Sequence, residues 1–208
     1  MAQFLTIHPT HPQARLISQA AEMVRDGRVI VYPTDSCYAL GCRLDDRDAV
    51  DRIRTIRALD AKHHLTLVCR DLSEVARYAR VDNRQFRLLK SATPGSYTFI
   101  LEATREVPRR LQHPKRKTIG LRVPDHPVAQ ALLCELNEAM LSTSLMLPGE
   151  ELPLNDAEDI RERLEDQVDL IIDSGACGFE MTTVVDLTGA GPQVLREGKG
   201  HLAVFGFA

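Results

Sequence analysis

Arg28-Val29-Ile30-Val31-Tyr32-Pro33-Thr34-Asp35-Ser36 is the stretch whose reading decides the fold class. A short β-branched, apolar run with no polar alternation predicts a strand buried on both faces, as in α/β sheets. Pro33 ends it, since proline has no N–H to give a ladder, and the strand empties into a polar Thr-Asp-Ser loop. Upstream, Pro12 sits where a first helical residue belongs, and Leu16, Ile17, Ala20, Ala21 and Val24 recur at helical spacing until Gly27 offers a stop. Downstream, Asp46 can cap a helix carrying Val50, Ile53 and Ile56, Leu65–Cys69 reads as the next strand, and Asp71 opens another helix.

The alternation continues, with strands predicted at 97–101, 118–123, 140–144, 170–173 and 184–187, and helices near 83–91, 127–136 and 157–165. Neither a fixed-period repeat nor a Gly/Ser linker divides the chain. The expectation is one α/β domain with a mixed sheet covered by helices. The first dozen residues are expected to pack loosely.

A chain of 208 residues with 44% hydrophobic and 26% charged residues has globular composition. It is long enough to bury roughly 70% of its unfolded surface without a staple. No basic leader with an apolar core and no long apolar run is present, so a soluble, cytoplasmic protein with no membrane association is expected. Cys37, Cys42, Cys69, Cys134 and Cys177 form no CxxC pair, and their odd number argues for reduced thiols, each read as a small buried hydrophobe. The histidines, including the adjacent His63-His64, show no HxxxH or HExxH spacing, and no structural metal is expected.

Charge is unevenly spread around a net of -3. From Arg105 to Arg122 seven cations meet one anion, Glu106, while residues 150–169 carry nine acids against Arg161 and Arg163. Hydroxyls gather beside strands: Thr34 and Ser36 after the first, Ser142, Thr143 and Ser144 at a later one, Thr182 and Thr183 at another. With Arg57, Arg122 and Arg196 they could hold an anion in a crevice at the strand ends. By themselves, such residues equally cap turns and solvate a surface. No GxxxxGK[ST] sequence occurs, and Gly189-Ala190-Gly191 reads as a turn.

Tyr32-Pro33-Thr34-Asp35-Ser36-Cys37-Tyr38-Ala39-Leu40-Gly41 resembles the YPTDTxYGLG signature of the YrdC/YciO family, and further matches follow in family order. Thr93-Pro94-Gly95-Ser96-Tyr97-Thr98 is similar to PGPxT, and Thr118–Pro127 to TxGxRxPxHP. Ser142-Thr143-Ser144, Thr182-Thr183-Val184-Val185-Asp186 and Leu195-Arg196-Glu197-Gly198 complete the series. STSLMLPG and KRKTIGLRVP bring it nearest the YciO branch. The resemblance implies a YrdC-like domain over residues 14–200, between an N-terminal extension (1–13) and a C-terminal tail (201–208), with a twisted mixed sheet and a concave basic cleft.

The activity implied is condensation of L-threonine, bicarbonate and ATP into threonylcarbamoyl-adenylate, on the way to threonylcarbamoyladenosine in tRNA. ATP would be a substrate, with Mg²⁺ accompanying it, and double-stranded RNA or tRNA a partner. Carried over residue by residue, Thr34 and Arg122 match positions that hold the amino acid, and Ser142 and Thr182 line the same pocket. Ser144 and Arg196 match nucleotide contacts, Arg57 stands where the family has a lysine, and Thr118 is a further phosphate candidate because a hydroxyl beside a basic strand can donate to an anion. Arg109, Arg110, Lys115, Arg116 and Lys117 are the RNA candidates. No catalytic side chain is assigned.

Two departures bear on activity. In Arg57–Leu65 the arginine of the family's KxRPxxKPL becomes Leu59, for which Lys62 is a candidate substitute, and the asparagine of SxN becomes Met146, a thioether that cannot donate. The expectation is a weak or specialised synthase, with a non-catalytic RNA- and nucleotide-binding module, or an adenylating enzyme for another amine, as the alternatives.

Overall fold

In the computed structural model, which describes residues 1–60 and 65–206, the chain runs β1 (Gln3–Thr6), α1 (Ala14–Arg25), β2 (Ile30–Tyr32), β3 (Ala39–Arg43), α2 (Arg47–Ile56), β4 (Thr66–Val68) and α3 (Leu72–Tyr78). It continues through β5 (Ala79–Arg80), α4 (Asn83–Ala92), β6 (Tyr97–Ala103), β7 (Thr118–Arg122), α5 (Pro127–Leu136), β8 (Met140–Ser144) and α6 (Ala157–Leu164). β9 (Leu170–Asp173), β10 (Thr183–Asp186) and β11 (Gln193–Arg196) close the sheet. The strands lie in the order β1-β9-β2-β3-β8-β4-β7-β6-β10-β11, with β5 paired to β6. β1/β9, β2/β9, β4/β7 and β6/β10 are parallel pairs and the rest antiparallel, so the expected α/β domain with a mixed sheet is what forms.

Local chemistry sets the helix ends. Asp46 accepts from the Ala49 N–H at 2.9 Å to cap α2, and Asp82 and Gln85 form a reciprocal capping box on α4. Pro127 fills the first position of α5, and Asn137 ends that helix in the left-handed region at φ 55°. Gly27 stops α1 at φ 78°, and a Cβ there would run into the Asp46 carboxylate.

Four strands escaped the sequence pattern. β3 reads Ala-Leu-Gly-Cys-Arg, neither alternating nor β-branched, yet it is buried between β2 and β8. β1 corrects the expectation of a loose N-terminus: it pairs in register with β9, and Leu5 and Ile7 are buried. β5 and β11 are short pieces at the sheet margin. The C-terminal tail is also packed, with the Phe205 ring 5.5 Å from that of Tyr97.

The two sheet faces are covered unequally. On one, α2, α3, α4 and α6 build a continuous core against Val31, Leu40, Leu67, Phe99, Leu121 and Val185. On the other, α1 and α5 pack over Ile30, Tyr32, Ala39, Val68, Met140, Leu170 and Ile172. That second cluster takes in no residue of β6, β7 or β10. No helix among the described residues is long and apolar enough to cross a membrane.

Candidate functional site

The uncovered part of that second face carries the site. Side chains alternate along a strand, so Thr118, Gly120 and Arg122 share one face of β7 while Ile119 and Leu121 enter the core opposite. The same period aims Thr98 and Ile100 of β6, Thr66 and Val68 of β4, and Ser142 and Ser144 of β8 at one pocket of about 370 Å³. Register aligns Ser142 with Thr66 and Thr66 with Gly120. A Cβ at Gly120 would stand 3.3 Å from both Thr66 Oγ1 and Thr98 Cγ2, so glycine keeps the floor open.

Arg57, Thr118, Arg122, Ser142, Ser144, Thr182 and Arg196 all line this pocket, although they come from five separate regions of the chain. Thr34 stands behind the rim, buried, its Oγ1 donating to the Cys37 carbonyl at 2.6 Å and 3.4 Å from Arg122 Nη2. The hydroxyls line the face of the sheet as well as its ends, because alternation within strands directs them there.

Several of these groups are already engaged. Ser142 Oγ donates to the Leu40 carbonyl at 2.9 Å and accepts from Tyr32 Oη at 2.8 Å. Burial pushes the Tyr32 phenol up to about 12 despite that hydrogen bond. Thr98 and Thr182 Oγ1 share a hydrogen bond of 2.9 Å, and Arg196 Nη2 donates to the Thr182 carbonyl at 2.9 Å. The Thr118 and Ser144 hydroxyls have no hydrogen-bond partner among the described residues.

Charge is balanced selectively. Arg122 pairs with Asp35 at 2.5 Å, and Arg116 pairs with the buried Asp186. Burial pulls the Asp35 carboxyl upward, but the Arg122 charge and the hydrogen bonds from Ser96 and Arg122 outweigh it and hold it below its ordinary value. Arg57 and Arg196 form no ion pair among the described residues, and Arg57 is buried with its Nε unpartnered. Burial draws the Arg57 guanidinium down. The described lining holds four arginines and no carboxylate, a composition whose charge suits an anion. It fits Mg²⁺ only as a passenger on a phosphate, because a hard divalent ion seeks oxygen anions that the walls do not offer.

Asp35, Tyr32, Thr98 and His113 are site residues that sequence reasoning did not select. Asp35 sits inside the Thr-Asp-Ser string, where its demand for a buried cation was the available signal. The basic run divides. Arg116 lines the pocket and Arg110 donates to the Asp45 carbonyl at 2.9 Å, while all five, Arg109, Arg110, Lys115, Arg116 and Lys117, are exposed. Of the departures, Leu59 is partly buried against the large core, and Met146 follows β8 outside the pocket lining. Lys62 and His63-His64 lie outside the described residues.

A mixed sheet with one half-covered face and a pocket of threonine, serine and arginine on the open part defines a distinct class of α/β protein. The chain belongs to the Sua5/YciO/YrdC family, whose model, described as telomere recombination, matches residues 22–198. It is 60% identical to YciO of Escherichia coli over 99% of this chain and 100% of that one, and the crystal structure of E. coli YciO superimposes with a TM-score of 0.95 over the same shares. A threonylcarbamoyl-AMP synthase of Chromobacterium violaceum is 36% identical over 77% of this chain and 82% of its own. The structure of P. abyssi Sua5 complexed with L-threonine matches at 26% identity and TM-score 0.86, over 94% of this chain and 57% of that one.

Proposed function

We propose that the pocket binds ATP and adenylates a carbamate, as an L-threonylcarbamoyladenylate synthase of weak or specialised activity linked to tRNA threonylcarbamoyladenosine formation. The observation that carries this is the meeting of two guanidiniums without ion pairs, Arg57 and Arg196, with the unbonded hydroxyls of Thr118 and Ser144 across a carboxylate-free pocket. A volume of about 370 Å³ lies within the range of nucleotide- and drug-sized sites. The synthase name of the C. violaceum relative and the L-threonine bound to P. abyssi Sua5 support the substrate choice.

In this reading L-threonine and bicarbonate first lose water to give N-carboxythreonine. A carbamate oxygen then attacks the α-phosphorus, and the bond from that phosphorus to the bridging oxygen breaks. Pyrophosphate leaves with the electron pair. Arg57 and Arg196 hold the phosphate charge, Thr118 and Ser144 donate to phosphate oxygens, and Arg122, fixed by Asp35, faces the amino-acid carboxylate. Mg²⁺, when bound, would neutralise the nucleotide's phosphates and would arrive with it.

A second reading, adenylation on a different amine, is favoured by the apolar seat of Leu59, which leaves no arginine at that position. Pyrophosphate release from ATP, measured with and without L-threonine and bicarbonate, separates the two. Dependence on both co-substrates supports the synthase; dependence on bicarbonate with another amine supports the second reading. Release that ignores both sinks the proposal.

A further inference from the structure

His113 lines the nucleotide-sized pocket and also a second cavity, of about 680 Å³, formed by the connection from β6 to β7. We propose that this second cavity is a separate binding site for a di- or triphosphate anion, held by Arg105, Arg109 and Lys117. The inference stands on the cations of this cavity and does not rest on the adenylation reading.

The charge balance comes first. Five charged side chains other than histidine line the cavity, and its one acid, Glu102, is taken by Arg80 at 3.2 Å. Glu106, the other acid of the connection, pairs with Arg77 at 3.8 Å and does not line the cavity. Arg105, Arg109 and Lys117 are left without a counter-charge among the described residues. Three exposed cations around one concavity repel one another through the screening of water and salt, and a multivalent anion entering between them relieves that repulsion. Ala103, Val107 and Pro108 supply an apolar wall on one side of the cavity.

The backbone beneath these cations is fixed in advance. Gln112 Nε2 donates to the Val107 carbonyl at 2.7 Å and the Thr104 carbonyl at 3.4 Å. His113 Nδ1 accepts from the Lys115 and Arg116 N–H groups at 3.3 and 3.1 Å, and the Lys117 N–H donates to the His113 carbonyl at 2.8 Å. This closed turn holds Lys117 at φ 53°, where glycine or asparagine sits at lower cost. A lysine kept in that conformation with its side chain on the cavity is the pattern of local strain retained for binding.

The cations ring one cavity and do not extend into a track. Of the neighbours that could extend them toward a nucleic-acid backbone, Arg110 is engaged by the Asp45 carbonyl and Arg116 by Asp186, which leaves Lys115, exposed and off the cavity lining. That arrangement favours a compact oligophosphate over an RNA duplex.

The test is calorimetric titration of the full chain with inorganic pyrophosphate and tripolyphosphate, with a short RNA duplex as a separate arm. Titration should resolve two pyrophosphate sites: Arg105→Ala/Arg109→Ala should weaken the cavity site at least about ten-fold, equivalent to 1.4 kcal/mol, while Arg57→Ala/Arg196→Ala should weaken only the site in the nucleotide-sized pocket and leave the cavity site in place. Lys117→Gly should weaken pyrophosphate binding while raising the melting temperature, since glycine relieves the left-handed backbone; a lysine with only a structural role would give higher stability with unchanged binding. Equal pyrophosphate affinity in wild type and Arg105→Ala/Arg109→Ala would overturn the assignment. So would a loss confined to Arg57→Ala/Arg196→Ala, or RNA binding without any binding of pyrophosphate.

Discussion

Arg122 Nη2 and Asp35 Oδ1 lie 2.5 Å apart, with side chains only 8% and 11% exposed, although 87 residues separate them in the chain. This pair ties the loop after β2 to the end of β7 and points one guanidinium edge along the pocket wall. The Arg122 Nε beside it is buried and has no hydrogen-bond partner among the described residues.

Asp35→Asn should destabilise the fold by about 3 kcal/mol, because removing one partner strands the other charge in the interior. The folded carboxyl titrates below its ordinary 3.8, so its contribution is present above that pH and is lost as pH falls beneath it. Urea unfolding at pH 7 and at pH 3 should therefore show the gap between wild type and variant shrinking in acid. A gap of constant size would remove the ion pair as the cause.

Arg196→Ala should weaken nucleotide binding by about ten- to a hundred-fold, through loss of a charge-assisted contact of about 1.5–3 kcal/mol. Arg196 lies on β11, at the end of the sheet order, and is exposed, so the fold should survive. Titration with AMP checks this; an unchanged affinity in folded protein takes Arg196 out of the site.

His126 caps α5 by accepting from the Val128 N–H at 3.3 Å, which requires an unprotonated Nδ1. Burial, with Arg122 adding to it and Asp35 and Asp125 opposing, keeps its pKa below the ordinary 6.5. A base with a lowered folded pKa stabilises fully above 6.5 and loses that stabilisation as pH falls from there toward the folded value. His126→Asn keeps a capping acceptor and removes the titration. Melting temperatures from pH 7.5 to 5.5 should fall further for wild type than for this variant.

Leu59→Arg, which restores the family residue, should cost about 1–3 kcal/mol, since it replaces an apolar contact with the core by a charge. Met146→Asn carries no such penalty, as Met146 belongs to neither buried cluster. Denaturant midpoints of the two single variants test the contrast, and equal stability would show that position 59 tolerates a cation.

Much of the fold was legible in advance because it is written in local patterns. α1, α2, α4, α5 and α6 fall where caps and helical spacing put them, and β2, β6, β7 and β8 where apolar runs end in turns. β3 was missed because burial on both faces erases alternation and Gly41 mimics a turn, and β1 because four residues at a sheet margin carry too little periodicity. Within the site, the ordered motifs singled out Thr118, Arg122, Ser142, Ser144, Thr182 and Arg196, all of which reach one pocket. Asp35 went unselected, since its significance depends on Arg122 arriving from β7.

By itself the sequence determined which residues alternate: polar and small on one side of Thr118-Ile119-Gly120-Leu121-Arg122, apolar on the other. Side-chain periodicity is a property of the extended backbone and needs no partner. Only the tertiary structure decided that α1 and α5 cover one part of that face and leave the β7–β6–β10 part open. It alone also divided the basic run, giving Arg116 to one pocket and Arg105, Arg109 and Lys117 to another. Both outcomes depend on contacts between segments far apart in the chain, and the free energy of such contacts comes from burial and charge pairing that no local window contains.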